Sequence, residues 1–363
     1  MSVTDIRAAR PEIQDPGARI GNLEGEPMRY VLAFLALVFA VECHAQQEPL
    51  RLIQTMALPG VVEGKFDHLA VDIKGNRLFL AARVNQTIEV FDLATGKRIH
   101  SISGYGIPHA EYYVPGSNEL LVAVGDDGTC KFLRGDTFEL IKSVKISVGA
   151  DSITYDPGAK YLYIVNGGKD IDNNEFSLVS VIDATKRENL GDIRVEGAEL
   201  EAMAVERSGT RLFVNMKTLK QVGIIDRNKR KVVATWPLPE AGVNTPMTFD
   251  EAHHRLFVGA RVPSEVVVFD TDTGKVVARV PCVGDADDMS YDSARKRIYV
   301  TGEEGFISVI AQTDADHYEP IAKIRTRPNA RNSLFVPELN RFFVGVPNDG
   351  KQEAEVLVFQ VQP

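Results

Sequence analysis

Between Phe66 and Ser103 apolar and polar residues alternate in four short runs, Phe66–Val71, Arg77–Ala82, Thr87–Asp92 and Lys97–Ile102. The joints are polar: Asp72 to Asn76, Arg83 to Gln86, and Ala94-Thr95-Gly96. Alternation broken by turn residues at this spacing predicts an antiparallel β-meander. A sheet of four strands cannot bury both of its faces alone, so neighbours are required.

The pattern supplies them. The apolar residue that opens the second run recurs at Leu78, Leu120, Leu162, Leu212, Leu256, Ile298 and Phe342, at intervals of 42, 42, 50, 44, 42 and 44 residues. A V-x-D signature in the third run recurs at Val90-Phe91-Asp92, Val181-Ile182-Asp183 and Val268-Phe269-Asp270, with Ile224-Ile225-Asp226 close to it. A period in the low forties with four strands per unit marks a β-propeller, one blade per repeat. The expected fold is therefore all-β, a seven-bladed propeller of four antiparallel strands per blade, forming a single domain over residues 50–363. The seventh blade, from Asn332 through Ala354–Val361, holds only three strands, and Leu50–Leu58 reads as a strand ahead of the first blade. That N-terminal strand is expected to complete the seventh blade and close the ring.

Two recurring segments carry a family likeness. Ile298-Tyr299-Val300-Thr301-Gly302 is one residue away from Y-V-T-N, and Tyr163-Ile164-Val165-Asn166 and Leu212-Phe213-Val214-Asn215 are looser copies. Val268 to Val277 matches the V-x-D-x-x-T-x-K-V segment that follows in that repeat, as does Val90 to Lys97. The chain thus resembles the YVTN-repeat β-propeller family, the YncE-like exported bacterial proteins. The second and sixth blades depart from the repeat, with Arg134 and Ala311 at the aspartate position. The resemblance implies a repeat type and an extracytoplasmic location, and no reaction.

Residues 1–45 read differently. Val31 to Val41 is an unbroken apolar run preceded by Arg29 and followed by Cys43-His44-Ala45. It has the length of a secretory h-region and falls short of the ~20 residues a spanning helix needs. Residues 28–45 are expected to be a signal peptide cut near Ala45, leaving a periplasmic or secreted protein without a stable membrane span. Lipidation at Cys43 is the competing reading. Residues 1–27 are expected to be a leader or a mis-assigned start, without packed structure. Removing residues 1–45 takes four Arg and six Asp/Glu from totals of 41 basic and 50 acidic residues, leaving a net charge of −7. That balance argues against nucleic acid as a partner. The only basic run, Arg227 to Lys231, is expected to be a solvated turn. Cys130 and Cys282 fall too far apart along the ring for a disulfide and are expected to be buried thiols in strands. Nothing in the sequence indicates an oligomer, and a monomer is expected.

Candidate chemistry comes from stacking the blades. At the start of the inner strands stand Asp67 and His68, His109 and Glu111, Asp151, Glu199 and Glu201, Asn244 and Thr245, Asp285, Asp287 and Asp288, and Asn329, Arg331 and Asn332. Ring geometry is expected to gather them at one channel entrance. Five residues past the repeating anchor stand Arg83, Lys217 and Arg261. Converging carboxylates repel unless a cation answers them. Three readings follow. The cations pair with the acids and stiffen the rim; or Arg83, Arg261, His68 and His109 hold an anionic small molecule or a partner's acidic side chain; or His68, His109 and Asp151 hold a divalent metal, the only cofactor the sequence suggests. The candidate ligand-binding set is His68, Arg83, His109, Asp151, Glu201, Lys217, Arg261, Asp288 and Asn332, with no catalytic residue assigned. His253-His254 are expected to be solvated on the opposite face, and His100 and His317 have no titratable company. Asp170-x-Asp172-x-Asn174, in the longer third repeat, begins like a calcium loop but lacks its later Gly and Glu. No phosphate loop, nucleophile elbow or paired-cysteine site is present. A single tryptophan, Trp236, disfavours a quinone-cofactor propeller, and six histidines after export are too few for a multi-histidine copper cluster. The resulting expectation is a scaffold that binds a small molecule or envelope protein and does not catalyse. A lactonase-like metal-dependent hydrolase and an accessory protein of a secreted redox enzyme are the alternatives.

Overall fold

The computed structural model describes residues 48–171 and 174–363. The expected leader and signal peptide, and Asp172 of the calcium-like stretch, lie outside the described residues. Among the described residues no helix is long and apolar enough to cross a membrane.

Seven four-stranded antiparallel sheets form the blades of an all-β propeller. Blade 1 runs Leu69–Asp72, Arg77–Ala82, Thr87–Asp92 and Arg98–Ser103, in that order from the axis outwards. Its first strand is thus shorter than the pattern predicts, because Asp67 and His68 already turn into the channel mouth. Blade 7 is composite: Asn332–Val336, Arg341–Val346 and Ala354–Val361 are completed by the N-terminal strand Leu50–Leu58. That strand pairs antiparallel with Ala354–Val361, from Leu50 opposite Val361 to Leu58 opposite Ala354. It buries the edge the last strand would otherwise expose.

Each sheet is sandwiched between two neighbours, so second strands are apolar on both faces. Leu78, Phe79, Leu80, Ala81 and Ala82 are all buried. Seven apolar clusters fill the seven interfaces, the last joining Met56, Leu58, Val356 and Val358 of blade 7 to Phe66, Leu78 and Phe91 of blade 1. Outer strands such as Arg98–Ser103 bury little and alternate with solvent.

The V-x-D signature has a local cause. Asp92, Asp183, Asp226 and Asp270 each cap the turn that follows, accepting from backbone N–H groups two or three residues on. This is the Asx-turn chemistry that favours aspartate at such corners. In blade 6, where Ala311 replaces it, Asp314 accepts from the backbone of Asp316 and His317.

A second ring holds blade to blade. The residue before the repeating anchor is Arg in five blades, and each guanidinium reaches a carbonyl of the next blade. Arg77 donates to Gly135, Arg211 to Thr271, Arg255 to Ala315 (3.1 Å), Arg297 to Gln362 (2.7 Å), and Arg341 to Leu93 (3.5 Å) across the closure. In blade 2 the polarity reverses, and Glu119 receives Arg187 from blade 3. In blade 3, Asp156 receives Arg227 from blade 4. Arg227 is therefore an inter-blade tie that also donates to the carbonyls of Glu206 and Gly209. This corrects the solvated-turn reading for the first residue of the basic run. Cys130 is buried in a strand, but Cys282 is only half-buried and lies one residue past the strand Lys275–Pro281; both are free. His317 does have company, with Nδ1 2.8 Å from Asp314. His253 and His254 are part-exposed and bonded to Asp250 and Asp272.

Candidate functional site

The blades place their inner-strand starts around one channel mouth. Backbone bonds fix the side chains there: Asp67 N donates to Ala81 O (2.9 Å), His68 N to His109 O of the next blade (3.1 Å), and Asp151 N to Val165 O (3.0 Å). A cavity of about 380 Å³ opens at this face. Of the candidate set, His68, Arg83, His109, Asp151, Glu201, Lys217 and Arg261 line it. Asp288 lies just below, in a second cavity of about 260 Å³ along the axis. Asn332 borders neither cavity; its amide donates to Asp287 (3.0 Å) and Asp288 (3.5 Å).

The permanent cations sort into two groups. Lys217 sits 2.8 Å from Glu201 and 3.5 Å from Glu199. Arg261 sits 2.5 Å from Asp287 and donates to Ala286 O. Arg331 bridges Asp287 (3.0 Å) and Glu303 (2.8 Å). These three stiffen the rim. Arg83 is looser, 3.9 Å from Asp67 and 42% exposed.

The histidines face carboxylates. His68 Nδ1 lies 3.0 Å from Asp288 Oδ1, and its Nε2 lies 3.7 Å from Asp67. Burial alone would lower its pKa; the bonded Asp288 carboxylate, with Asp67 and Asp151 behind it, holds it well above the ordinary value. His109 is wedged against Gly125, where an added Cβ would fall 2.6 Å from Nε2. Its Nδ1 is thereby turned inward, 3.2 Å from Asp67 Oδ2 and 3.7 Å from Asp151 Oδ1. Burial again works downward, and the Asp151 and Asp67 carboxylates outweigh it, bringing the imidazole to about 9. Asp151 shows the reverse: burial would raise it, and His109 beside it brings it down to about 2.

Two carboxyls are out of balance. Glu201 is raised to about 7 by burial and by the Asp151 charge, against the pull of Lys217. Glu111, 5% exposed, lines the lower cavity with neither carboxyl oxygen hydrogen-bonded. Burial is the main reason its pKa stands well above the carboxylate range.

Asp67, Asp287, Arg331 and Thr245, expected at the entrance but outside the candidate ligand-binding set, all line the cavity as well. Asp126 and Asp170 were not anticipated there. Their signals were present, since both sit on second-to-third-strand loops, which open on this face, and Asp170 belongs to the acidic insertion of the third repeat.

No protein-family model matches the sequence, and no curated protein matches it. Solved structures do share its architecture. A chain of Kuenenia stuttgartiensis hydrazine synthase aligns over 84% of this chain and 99% of its own, at 16% identity and a TM-score of 0.70. A chain of a mitotic checkpoint complex aligns over 100% of this chain and 99% of its own, at 11% identity and a TM-score of 0.71. At these identities the likeness is one of fold: this chain forms seven blades of four antiparallel strands in a ring, an architecture that propeller neighbours such as the hydrazine synthase chain support.

Proposed function

We propose that this protein is an exported propeller of the YVTN-repeat kind that binds a small polar ligand in its channel mouth and does not itself catalyse. The observation that carries this reading is the mouth cavity, large enough for a small molecule and walled almost entirely by charged and polar side chains held on rigid strands. His68 bonds to Asp288 and His109 faces Asp67, neither meeting a hydroxyl or thiol, so no activated nucleophile is assembled among the described residues. The apolar run at Val31 to Val41 supports export, and the repeat signatures around Tyr299 and Val268 support the family.

A lactonase-like, metal-dependent hydrolase is the second reading, favoured by the proximity of Asp67, His109 and Asp151. One experiment separates the two. The chain is melted with and without the low-molecular-mass fraction of an envelope extract, and with a panel of small polar compounds and lactones. A ligand at a hundred times its Kd adds about 2.7 kcal/mol of stability. The wild type is expected to gain stability and the Asp151→Ala, Glu201→Ala double variant is not. A gain that the double variant retains overturns the mouth as the site. Lactone turnover abolished by Asp151→Ala overturns the non-catalytic reading.

A further inference from the structure

We propose that Asp67, His109 and Asp151 form a divalent-cation site of the zinc or manganese class, with one coordination position open to the mouth cavity. This inference rests on the mouth being a binding site, and it names the ion at its centre.

The ligand atoms come from three successive blades, and one from each lies within 4.8 Å of the others. Zinc ligands at ~2.0–2.2 Å in a tetrahedral arrangement stand about 3.3 Å apart. His109 Nδ1 is 3.2 Å from one carboxylate and 3.7 Å from the other. Those spacings suit atoms that share an ion. They serve hydrogen bonding poorly: the buried Nδ1 satisfies the geometry of a bond with neither oxygen. The ring is not free to turn away, because Gly125 is packed against its other nitrogen.

A second, independent observation points to the same place. The Glu111 side chain, on the same inner strand as His109, is buried with two unpartnered carboxyl oxygens in the cavity beneath. Unpaired buried polar atoms are rare unless an ion or water answers them. His68 lines both cavities, so the carboxyl in the lower one borders the same cluster.

The donor set chooses the metal class. Calcium and magnesium take oxygen ligands almost exclusively, whereas imidazole with carboxylates suits zinc and manganese. Asp151 is the exposed member, 35% open to the cavity, while Asp67 is nearly buried. A cation held here would face the cavity on the Asp151 side, where a small ligand's oxygen could complete its shell.

The test uses the full chain stripped of metal. Equilibrium dialysis against Zn²⁺, Mn²⁺ and Ca²⁺ is expected to show one tight equivalent of zinc or manganese and none of calcium. Co²⁺ is expected to give visible ligand-field bands of a nitrogen-and-oxygen site. Asp151→Asn and His109→Gln are expected to weaken binding by more than the roughly 10–100-fold that outer-shell changes cost. Asp314→Asn, beside exposed His317 on another face, is expected to leave it unchanged. No stoichiometric binding, or binding indifferent to Asp151→Asn and His109→Gln but lost in Asp314→Asn, overturns the proposal. If metal binding fails while mouth variants still abolish small-ligand stabilisation, the cation falls and the mouth stands. If neither is seen, both fall.

Discussion

Replacing Glu201 by Gln tests whether the mouth holds more negative charge than its own cations satisfy. Glutamine copies the shape of the protonated acid, so the variant mimics the neutral form at every pH. In the folded protein Glu201 titrates near 7, because burial and Asp151 outweigh Lys217 at 2.8 Å. Unfolded, it titrates near the ordinary glutamate value of about 4.3. Between those values the native state holds the extra proton, so stability falls as pH rises through the window. One pKa unit corresponds to about 1.36 kcal/mol, and allowing for screening in an open cavity the loss is about 2–3 kcal/mol. Wild type and Glu201→Gln are therefore expected to be equally stable at pH 4. By pH 8 the variant is expected to be more stable by about 2–3 kcal/mol. Urea unfolding across this range can be followed through Trp236, the only tryptophan, which packs on Phe213 of its own sheet and Phe269 of the next blade. A constant difference would mean that Glu201 does not titrate abnormally. A variant less stable at pH 8 would mean that the Lys217 pair dominates, and the claim of excess negative charge would be refuted.

Ring closure predicts that Met56→Ala, at a fully buried position between blades 7 and 1, costs about 3 kcal/mol with an unchanged m-value. Leu52→Ala, half-exposed on the same strand, is expected to cost under about 0.5 kcal/mol, and equal costs would deny the strand its closing role. For the arginine ring, Arg255→Met removes the guanidinium from Asp270 Oδ2, from Asp316 and from the Ala315 carbonyl of the next blade at once. It is expected to cost about 3 kcal/mol in the same assay, against less than about 0.5 kcal/mol for the exposed Lys186→Ala; similar midpoints for the two would show that the inter-blade tie contributes nothing.

The repeat was legible because every blade meets the same physical demand. A strand packed on both faces must be apolar throughout, and the corner after the third strand needs an acceptor for its backbone, so Leu78-type anchors and Asp92-type caps recur at fixed offsets. The arginine ring recurs just as regularly at Arg77, Arg211, Arg255, Arg297 and Arg341, yet a search for apolar periodicity passes over it. Its partners are carbonyls of the next blade, some 58 to 65 residues away for the first four, and 248 residues away for Arg341, whose partner lies across the closure. The face of the site was legible for the same reason as the blades. Pairings within it were not, because whether Arg261 meets Asp287 or a ligand depends on the rotation between neighbouring sheets and on side-chain rotamers. The sequence carries neither. Asp288 and Asn332 show the limit: Asp288 bonds to His68 from the lower cavity, and Asn332 bonds to Asp287 and Asp288 without bordering either cavity.

The two halves of the mouth are unlike, and the residue five beyond each anchor explains why. Blades 4, 5 and 6 carry Lys217, Arg261 and Glu303 there, long side chains that fold onto neighbours and, with Arg331, form ion pairs across that half. Blades 2 and 3 carry Gly125 and Gly167, which leave space, and His109 occupies the space at Gly125. On this side Asp67, Asp126, Asp151 and Asp170 converge, and the only permanent cation among the cavity's residues is Arg83, 3.9 Å from its nearest acid. Room and a surplus of carboxylates over permanent cations therefore coincide in one half of the ring. A positively charged occupant would relieve that surplus, which is otherwise offset in this half only by Arg83 and by the His68 and His109 imidazoles, both held above their ordinary pKa. Of the four side chains on which the anion-binding reading rests, Arg261 is engaged by Asp287 and the two histidines face carboxylates, so Arg83 is the one that stays loose.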